Sequence, residues 1–219
     1  MALRLILLSD THGRHGDLDV PEGDVLVHAG DFTSRGRERE VADFGAWLAE
    51  QPHAHKVVVA GNHDFLFERE PERARELLGD VVYLLDSGAE LAGLSFWGSP
   101  WQPWFHDWAF NLQRGEALAE VWARAPSGVD VLVTHSPPMG VLDRTARGER
   151  VGCEDLRDAL VRIRPALHVF GHIHEAYGTR PGPPLSINAC NCDLAYRAAN
   201  APVVVEWDAE GPSLAGAAP

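Results

Sequence analysis

Short runs of apolar residues recur along the chain and alternate with segments of helical pattern. Apolar runs of this length, bounded by polar or glycine residues, are typical of buried strands. The runs are Leu3–Leu8, Val25–Val27, Lys56–Ala60, Val81–Leu85, Val129–Val133, Leu167–Phe170 and Val203–Glu206. Strands that alternate with helices predict an α/β or layered α+β domain.

Three segments between these runs predict helices. In two of them the apolar residues recur at helical spacing, and one of these two begins at the acidic pair Glu154-Asp155, which favours a helix start. The predicted helices contain Val41, Phe44, Trp47 and Leu48; Leu156, Ala159, Leu160 and Ile163; and the stretch Leu112 to Ala125. We expect one domain over residues 1–210, followed by a mobile Pro/Gly-rich tail over 211–219.

Composition narrows the functional class. The formal net charge of -13 over 219 residues argues against an extended nucleic-acid-binding surface. No apolar stretch approaches the roughly 18 to 20 residues needed to span a bilayer, so we expect no membrane span.

The sparse, odd set of cysteines, Cys153, Cys190 and Cys192, fits a reducing compartment and indicates a cytoplasmic protein. We interpret them as small buried thiols, because Cys190 and Cys192 lack a second pair to complete a metal site.

Polar fragments whose side chains can bind a metal ion follow the apolar runs. These fragments are Ser9-Asp10-Thr11-His12, Gly30-Asp31, Gly61-Asn62-His63-Asp64, Thr134-His135-Ser136 and Gly171-His172-Ile173-His174. Taken singly, each fragment has a purely structural explanation. Asp-x-His after a strand is more often a turn and cap, Gly-Asn-His is typical of a turn, and the fragment 171–174 of a hydrogen-bonded strand end. Together, at the ends of several strands, they predict side chains that converge at one edge of a sheet. Asp, Asn and His donors without Cys suit borderline divalent metals.

The spacing within the fragments predicts which residues bind the same ion. Alternation at a strand end sends Asp10 and His12 to the same side, and the same argument pairs His172 with His174 on one ion. The lone Asp31 suits a carboxylate that bridges two ions held about 3.5 to 4 Å apart.

A tryptophan-rich stretch between two prolines predicts an ordered loop with two open interpretations. It contains Trp101, Trp104 and Trp108. The loop is either a hydrophobic plug over a sheet edge or an aromatic wall on which a nucleotide base stacks. Of the remaining histidines, we expect two buried ones, His28 and His168, and four that face solvent, His15, His53, His55 and His106.

The five fragments, in this order, resemble the calcineurin-like metallophosphoesterase superfamily. The stretches 99–103, 134–138, 171–178 and 187–189 make the chain similar to the metallophosphoesterase-domain-containing (MPPED-like) branch. The resemblance covers nearly the whole chain. It implies an αββα sandwich of two mixed β-sheets flanked by helices.

The resemblance also implies a dinuclear centre that binds two divalent ions. Mn²⁺ is favoured, with Fe²⁺, Zn²⁺, Ni²⁺ and Co²⁺ as alternatives. The implied ligands are Asp10, His12, Asp31 and His174 for the first ion, and Asp31, Asn62, His135 and His172 for the second. A hydroxide that bridges the ions would attack phosphorus, while His63 faces the leaving group with Asp64 as its candidate orienting partner.

The expected function is hydrolysis of nucleotides or related small phosphodiesters. The alternatives are a phosphomonoesterase on the same centre and a slow-turnover nucleotide-binding regulatory protein. Protein Ser/Thr phosphatases are disfavoured, because Asp31 is followed by Phe32 rather than Arg and His63 by Asp64 rather than Glu. The expected partner is a small phosphoester, and the sequence leaves the oligomeric state open.

Overall fold

The computed structural model describes residues 2–216 and contains strands and helices that alternate along much of the chain. The strands are β1 (Leu3–Leu8), β2 (Val25–His28), β3 (His55–Val58), β4 (Val82–Tyr83), β5 (Ser87–Leu91), β6 (Leu94–Ser99), β7 (Gln102–Pro103), β8 (Asn111–Leu112), β9 (Val131–Thr134), β10 (Leu167–Phe170), β11 (Gly178–Arg180), β12 (Leu185–Asn188), β13 (Val203–Asp208) and β14 (Gly211–Leu214). The helices are α1 (Glu38–Glu50), α2 (Phe65–Arg69), α3 (Pro71–Leu78), α4 (Glu116–Ala123) and α5 (Glu154–Ile163).

Most strands belong to two six-stranded mixed sheets. The first has the order β14-β13-β1-β2-β3-β4, with β1 to β4 parallel and β13 and β14 antiparallel to their neighbours. The second has the order β11-β12-β10-β9-β6-β5, with the four central strands parallel and both edge strands antiparallel. The parallel centres place several strand ends at the same edge of the fold, where ligands bind in open α/β sheets.

The sheets pack face to face and helices cover their outer faces. Leu5 and Leu7 of β1 share the central core with Val133 of β9, while Ile6 and Leu8 point the other way. Those two residues pack in the layer formed with α1, α2 and α3, and a third cluster joins the second sheet to α4 and α5. Because each fully buried Leu or Val contributes about 1.5–3 kcal/mol, the central layer fixes the two sheets against each other. The predicted αββα sandwich is confirmed.

The apolar runs predicted the central strands but not all strands. The runs at Leu3–Leu8 and Leu167–Phe170 have the bounds of β1 and β10, and each of the other runs differs from its strand by one or two residues at one or both ends. The helix expected from Leu112 to Ala125 is shorter, since Leu112 pairs with Pro103 and α4 begins only at Glu116.

The prediction of a mobile tail over 211–219 is wrong for residues 211–214. Residues Gly211–Leu214 form the edge strand β14, in which Pro212 lies opposite Trp207 and Leu214 packs against the central core. An edge strand accepts a proline because one side of its ladder needs no donor. Residues 217–219 lie outside the described part of the chain, so the last part of that prediction stays untested.

Two of the histidines expected in solvent are buried. His15 packs 5.3 Å from the ring of Phe44, and the Nε2 of His53 lies 3.0 Å from the carbonyl oxygen of Pro21. Of the others, His28 and His168 are buried and His106 is exposed, as expected, while His55 is half-buried. Within residues 2–216 no helix has both the length and the apolar character needed to cross a membrane.

Candidate metal centre

Seven side chains from separate segments lie together where the parallel strands of both sheets end. They are Asp10 and His12 after β1, Asp31 after β2, Asn62 after β3, His135 after β9, and His172 and His174 after β10. The sheets join at this point, because the backbone N–H of Asn191 donates to the carbonyl of Ser9 over 2.8 Å. The structure therefore brings together the whole set of ligands that the resemblance implied.

A first group of ligand atoms comes from Asp10, His12 and His174. The Nε2 of His174 lies 3.3 Å from Oδ1 of Asp10 and 3.1 Å from Nε2 of His12. The Nε2 of His12 is also 3.9 Å from Oδ2 of Asp31, which connects this group to the next.

A second group comes from Asp31, His135 and His172, with Asn62 beside it. The Nε2 of His135 lies 3.5 Å from Oδ2 of Asp31 and 2.9 Å from Oδ1 of Asn62. The same Asp31 oxygen thus faces both groups, which is the position of a carboxylate that bridges two cations.

The backbone at these residues is not an extension of the strands. Asp10, His12, Asp31 and His172 have φ values of 53°, 45°, 57° and 69°, in the left-handed region that residues other than glycine rarely adopt. The argument from strand alternation therefore fails for His172, which belongs to a different ligand group from His174. Backbone strain of this kind persists where surrounding bonds over-determine it. One such bond runs from the N–H of Asp10 to the carbonyl of Gly30 over 2.8 Å.

Two glycines leave room for the carboxylates. A Cβ at Gly61 would collide with the side chain and backbone N of Asp31, and one at Gly171 would collide with the carboxylate of Asp10 and with Ser9. Glycine is required at both positions because backbone approaches a metal-binding carboxylate this closely.

The side chains of the centre fit a divalent cation, because their lone pairs converge on one place when the histidine rings are neutral. His135 and His174 donate from Nδ1 to the carbonyls of Ala29 and Asp193, each over 3.0 Å, so each neutral ring presents a lone pair at Nε2. The buried Oδ1 of Asp10 accepts no hydrogen bond from the described residues. A cation satisfies such a set of acceptors, and the carbonyl contacts fix the ring orientations as they do in other histidine-metal sites.

The second oxygen of Asp10 is held by three donors. It accepts from the Ser9 hydroxyl at 2.6 Å, the His172 backbone N–H at 2.9 Å and the Cys190 thiol at 3.1 Å. One oxygen is thus fixed by the protein and the other is directed into the centre. Cys190 is a residue that the sequence argument left outside the site, and no cysteine-pair spacing could have found it.

Burial and the charges of neighbouring groups shift the pKa values of the carboxyls and histidines in the centre. Burial opposes ionisation of Asp10 and Asp31, but the neighbouring histidines hold the pKa of both carboxyls well below the usual range. Burial likewise opposes protonation of His135 and His174, yet Asp31 and Asp10 respectively raise the pKa of these histidines to about 9. Burial lowers the pKa of His172 to about 3. Metal binding must therefore displace protons from two rings below about pH 9, since ligand histidines are neutral.

His63 lies beside the ligands with a backbone partner of its own. Its Nδ1 donates to the carbonyl of Ser34 over 2.8 Å, and its Nε2 lies 4.0 Å from Oδ2 of Asp31. The expectation that Asp64 orients His63 is wrong. The buried Asp64 carboxylate accepts instead from the backbone N–H groups of Asp31 (2.8 Å), Gly61 (2.8 Å) and Thr33 (3.0 Å), and so fixes the loop that carries Asp31.

The tryptophan loop contributes one of its three tryptophans. The ring of Trp108 lies 4.2 Å from that of His63, whereas Trp101 packs against Phe110 and donates from its indole nitrogen to Asp86. Trp104 is 55% exposed and lines neither cavity at the centre. Trp101 and Trp104 are therefore outside the site in which they were placed, and Trp108 is inside it.

Two cavities meet at the centre and share His63, Trp108 and Tyr196. The smaller has a volume of about 220 Å³ and is lined by ligand residues, Phe105 and Leu194. The larger has a volume of about 1180 Å³ and is lined by none of the ligand candidates. Tyr196, whose ring is 4.7 Å from that of His12, was missed by the sequence argument, because it lies outside every strand-end fragment.

Comparison with known proteins agrees with this geometry. A sequence profile of the calcineurin-like phosphoesterase family matches residues 3–176. Human metallophosphoesterase domain-containing protein 1 is 42% identical over 229 residues, which cover 93% of this chain and 70% of the human protein.

Solved structures agree on the fold. Phosphopantetheinyl hydrolase (PptH) of Mycobacterium tuberculosis superposes with a TM-score of 0.56 at 17% identity, over 88% of this chain and 90% of its own. The protein TT1561 of Thermus thermophilus gives 0.58 at 14% identity, over 89% and 91%. The profile match and the human relative together assign the chain to the metallophosphoesterase-domain-containing branch of the calcineurin-like phosphoesterases, a family of metal-dependent phosphoesterases.

Proposed function

We propose that the protein is a phosphodiesterase that hydrolyses nucleotides or related small phosphodiesters on a centre of two divalent ions. The position of Asp31 between two groups of ligand atoms supports two ions rather than one. Mn²⁺ is the favoured ion, because the donors mix carboxylate and amide oxygens with imidazole.

Several residues of the chain have separate roles in the proposed hydrolysis. When bound, the ions lower the pKa of a water toward about 7 and offset the charge of the phosphate. His63 protonates the departing oxygen from Nε2, since its Nδ1 is committed to the Ser34 carbonyl. Asp64 and the thiol of Cys190 keep Asp31 and Asp10 in place during the reaction.

The preference for diesters rests on the charges around the smaller cavity. Among the described residues, neither Arg nor Lys lines it, so the second negative charge of a monoester dianion meets no fixed cation beside the ligands. The larger cavity, which shares His63 with the smaller one, offers space for the second substituent of a diester. This absence of a cation is the observation that favours the phosphodiesterase over the phosphomonoesterase.

The aromatic residues of the centre favour a nucleotide. Trp108 and Phe105 line the smaller cavity, and Trp108 also lines the larger one. Stacking of a base on an aromatic side chain is worth about 1–3 kcal/mol.

A paired comparison tests the proposal. With the protein loaded with Mn²⁺, kcat/KM for bis(p-nitrophenyl) phosphate should exceed that for p-nitrophenyl phosphate at the same pH. The reverse ranking identifies a phosphomonoesterase. Nucleotide binding without metal-dependent turnover of either ester identifies the slow regulatory alternative. Repeating the comparison with Fe²⁺, Zn²⁺, Ni²⁺ and Co²⁺ tests the choice of metal.

A further inference from the structure

The larger cavity is lined by His63 but by none of the seven ligand candidates. His63, Trp108 and Tyr196 form its boundary with the smaller cavity. If His63 protonates the departing oxygen, the group attached to that oxygen must extend past His63 into this space. A volume of about 1180 Å³ exceeds what a single small alcohol needs.

One wall of the larger cavity is a row of flat groups that leads away from His63. The ring of Trp108 is 4.2 Å from His63 and 5.7 Å from Phe65, with 32° between the planes in each pair. The guanidinium of Arg69 lies 4.7 Å from the centre of the Phe65 ring. The row thus offers aromatic faces for a base and ends at a positive charge.

Three guanidinium groups line the larger cavity, those of Arg35, Arg37 and Arg69. Across residues 2–216, none of the three has a carboxylate within 4.0 Å. By contrast, Arg73 on the neighbouring helix α3 is held by Glu38 at 2.8 Å. Arginines without carboxylate partners can bind a phosphate through paired N–H donors.

Three acidic residues, Glu38, Glu70 and Asp107, line the larger cavity beside the three arginines, so the formal charges of its lining balance. Glu38 contacts Arg73 at 2.8 Å rather than any of the lining arginines. In a chain whose formal net charge is -13, a neutral cavity that contains three arginines favours an anionic ligand more than the surrounding acidic surface does.

We propose that the larger cavity binds the leaving nucleotide of the substrate and that Arg35, Arg37 and Arg69 bind a second phosphate on it. The preferred substrates are then short phosphorylated oligonucleotides, such as a dinucleotide whose leaving nucleotide carries a terminal phosphate. The proposal rests on the phosphodiesterase activity proposed above. Hydrolysis adds one water across a P–O bond, so the leaving nucleotide departs as an alcohol and the remainder keeps the phosphate as a monoester.

Three thymidine dinucleotides test this substrate class. We expect the Mn²⁺-loaded protein to hydrolyse pTpT or TpTp with a kcat/KM about tenfold above that of TpT at low salt, the effect of about one charge-assisted contact. The variants Arg69→Gln and Arg35→Gln/Arg37→Gln should bring this ratio close to one. Arg39→Gln is the matched control, since Arg39 is an exposed arginine on α1 that does not line the cavity, and it should keep the ratio.

A binding measurement gives a readout that does not depend on turnover. By calorimetry, thymidine 3′,5′-bisphosphate should bind more tightly than thymidine 5′-monophosphate, and Arg69→Gln should reduce the difference. Equal kcat/KM for all three dinucleotides, in a protein that hydrolyses bis(p-nitrophenyl) phosphate, overturns the proposal and leaves the phosphodiesterase standing. If no diester is hydrolysed, the phosphodiesterase itself fails. In that case, equal affinity for the two thymidine phosphates also removes the arginine site.

Discussion

Replacing His63 with alanine separates protonation of the leaving group from metal binding. The side chain is partly buried, its Nδ1 is held by the Ser34 carbonyl at 2.8 Å, and its Nε2 is 4.0 Å from Asp31. Because Nδ1 is already a donor, a protonated ring can give up only the Nε2 proton without losing its bond to Ser34.

The expected loss depends on the leaving group. A well-placed general acid contributes about 10²- to 10⁴-fold, or about 2.7 to 5.4 kcal/mol of transition-state stabilisation. We expect His63→Ala to lose this amount for an alkyl leaving group such as the nucleoside of TpT. For nitrophenolate, which is stable as an anion, the loss should be tenfold or less by the same reasoning.

The assay compares kcat/KM of TpT with that of bis(p-nitrophenyl) phosphate in wild-type protein, His63→Ala and a control. His55→Ala is the matched control, since His55 lies at the opposite end of the strand that leads to His63. Elemental analysis should find the same metal content in all three proteins. An equal loss for the two esters, or a loss of metal in His63→Ala, would refute the assignment of His63 as the acid.

Three further outcomes follow from the site and its surroundings. Asp31→Asn and His172→Ala should both lose bound metal and most activity, and two ions per chain in both variants by elemental analysis contradicts their assignment. Trp108→Ala should raise KM for nucleotides more than for a small non-aromatic ester, by about 5- to 100-fold, while an equal effect of Trp104→Ala would exclude stacking. Burial lowers the pKa of His168 to about 3 from 6.5, so the unfolded chain binds this proton first as pH falls. The free energy of unfolding should then decrease by about 1.4 kcal/mol per pH unit below about pH 6.5. His168→Asn should remove this contribution, which denaturant titrations at about pH 7 and about pH 5 measure.

Four of the strands predicted from the sequence are buried on both faces over most or all of their length, namely β1, β2, β9 and β10. Leu167–Phe170 is apolar except at His168, because both sides of a central parallel strand face apolar layers. The strand β6 was missed because polar residues interrupt it. Their hydroxyls are satisfied inside the fold, by Asp130 for Ser95 at 2.7 Å and by Asp86 for Ser99 at 2.8 Å. Those partners are distant in sequence, so no local pattern could reveal them.

The residue types of the centre were readable from the sequence, but their arrangement was not. Strand-end fragments identified every ligand candidate, because side-chain chemistry is local information. The separation of His172 from His174 depends on a left-handed φ of 69° at His172, which its neighbours in sequence do not dictate. The partner of His63 is a backbone carbonyl of Ser34, and sequence reasoning about side chains chose Asp64 instead.

One loop connects the centre to the larger cavity. Asp64 accepts from the N–H and the hydroxyl of Thr33, at 3.0 and 2.7 Å, and so anchors the segment that follows Asp31. The next residue, Ser34, holds His63 through its carbonyl, and Arg35 after it lines the larger cavity. A ligand that binds Arg35 therefore contacts the same short segment that orients His63. In the proposed reaction, binding of the leaving nucleotide by Arg35 and protonation of its oxygen by His63 are therefore linked through the backbone of this loop.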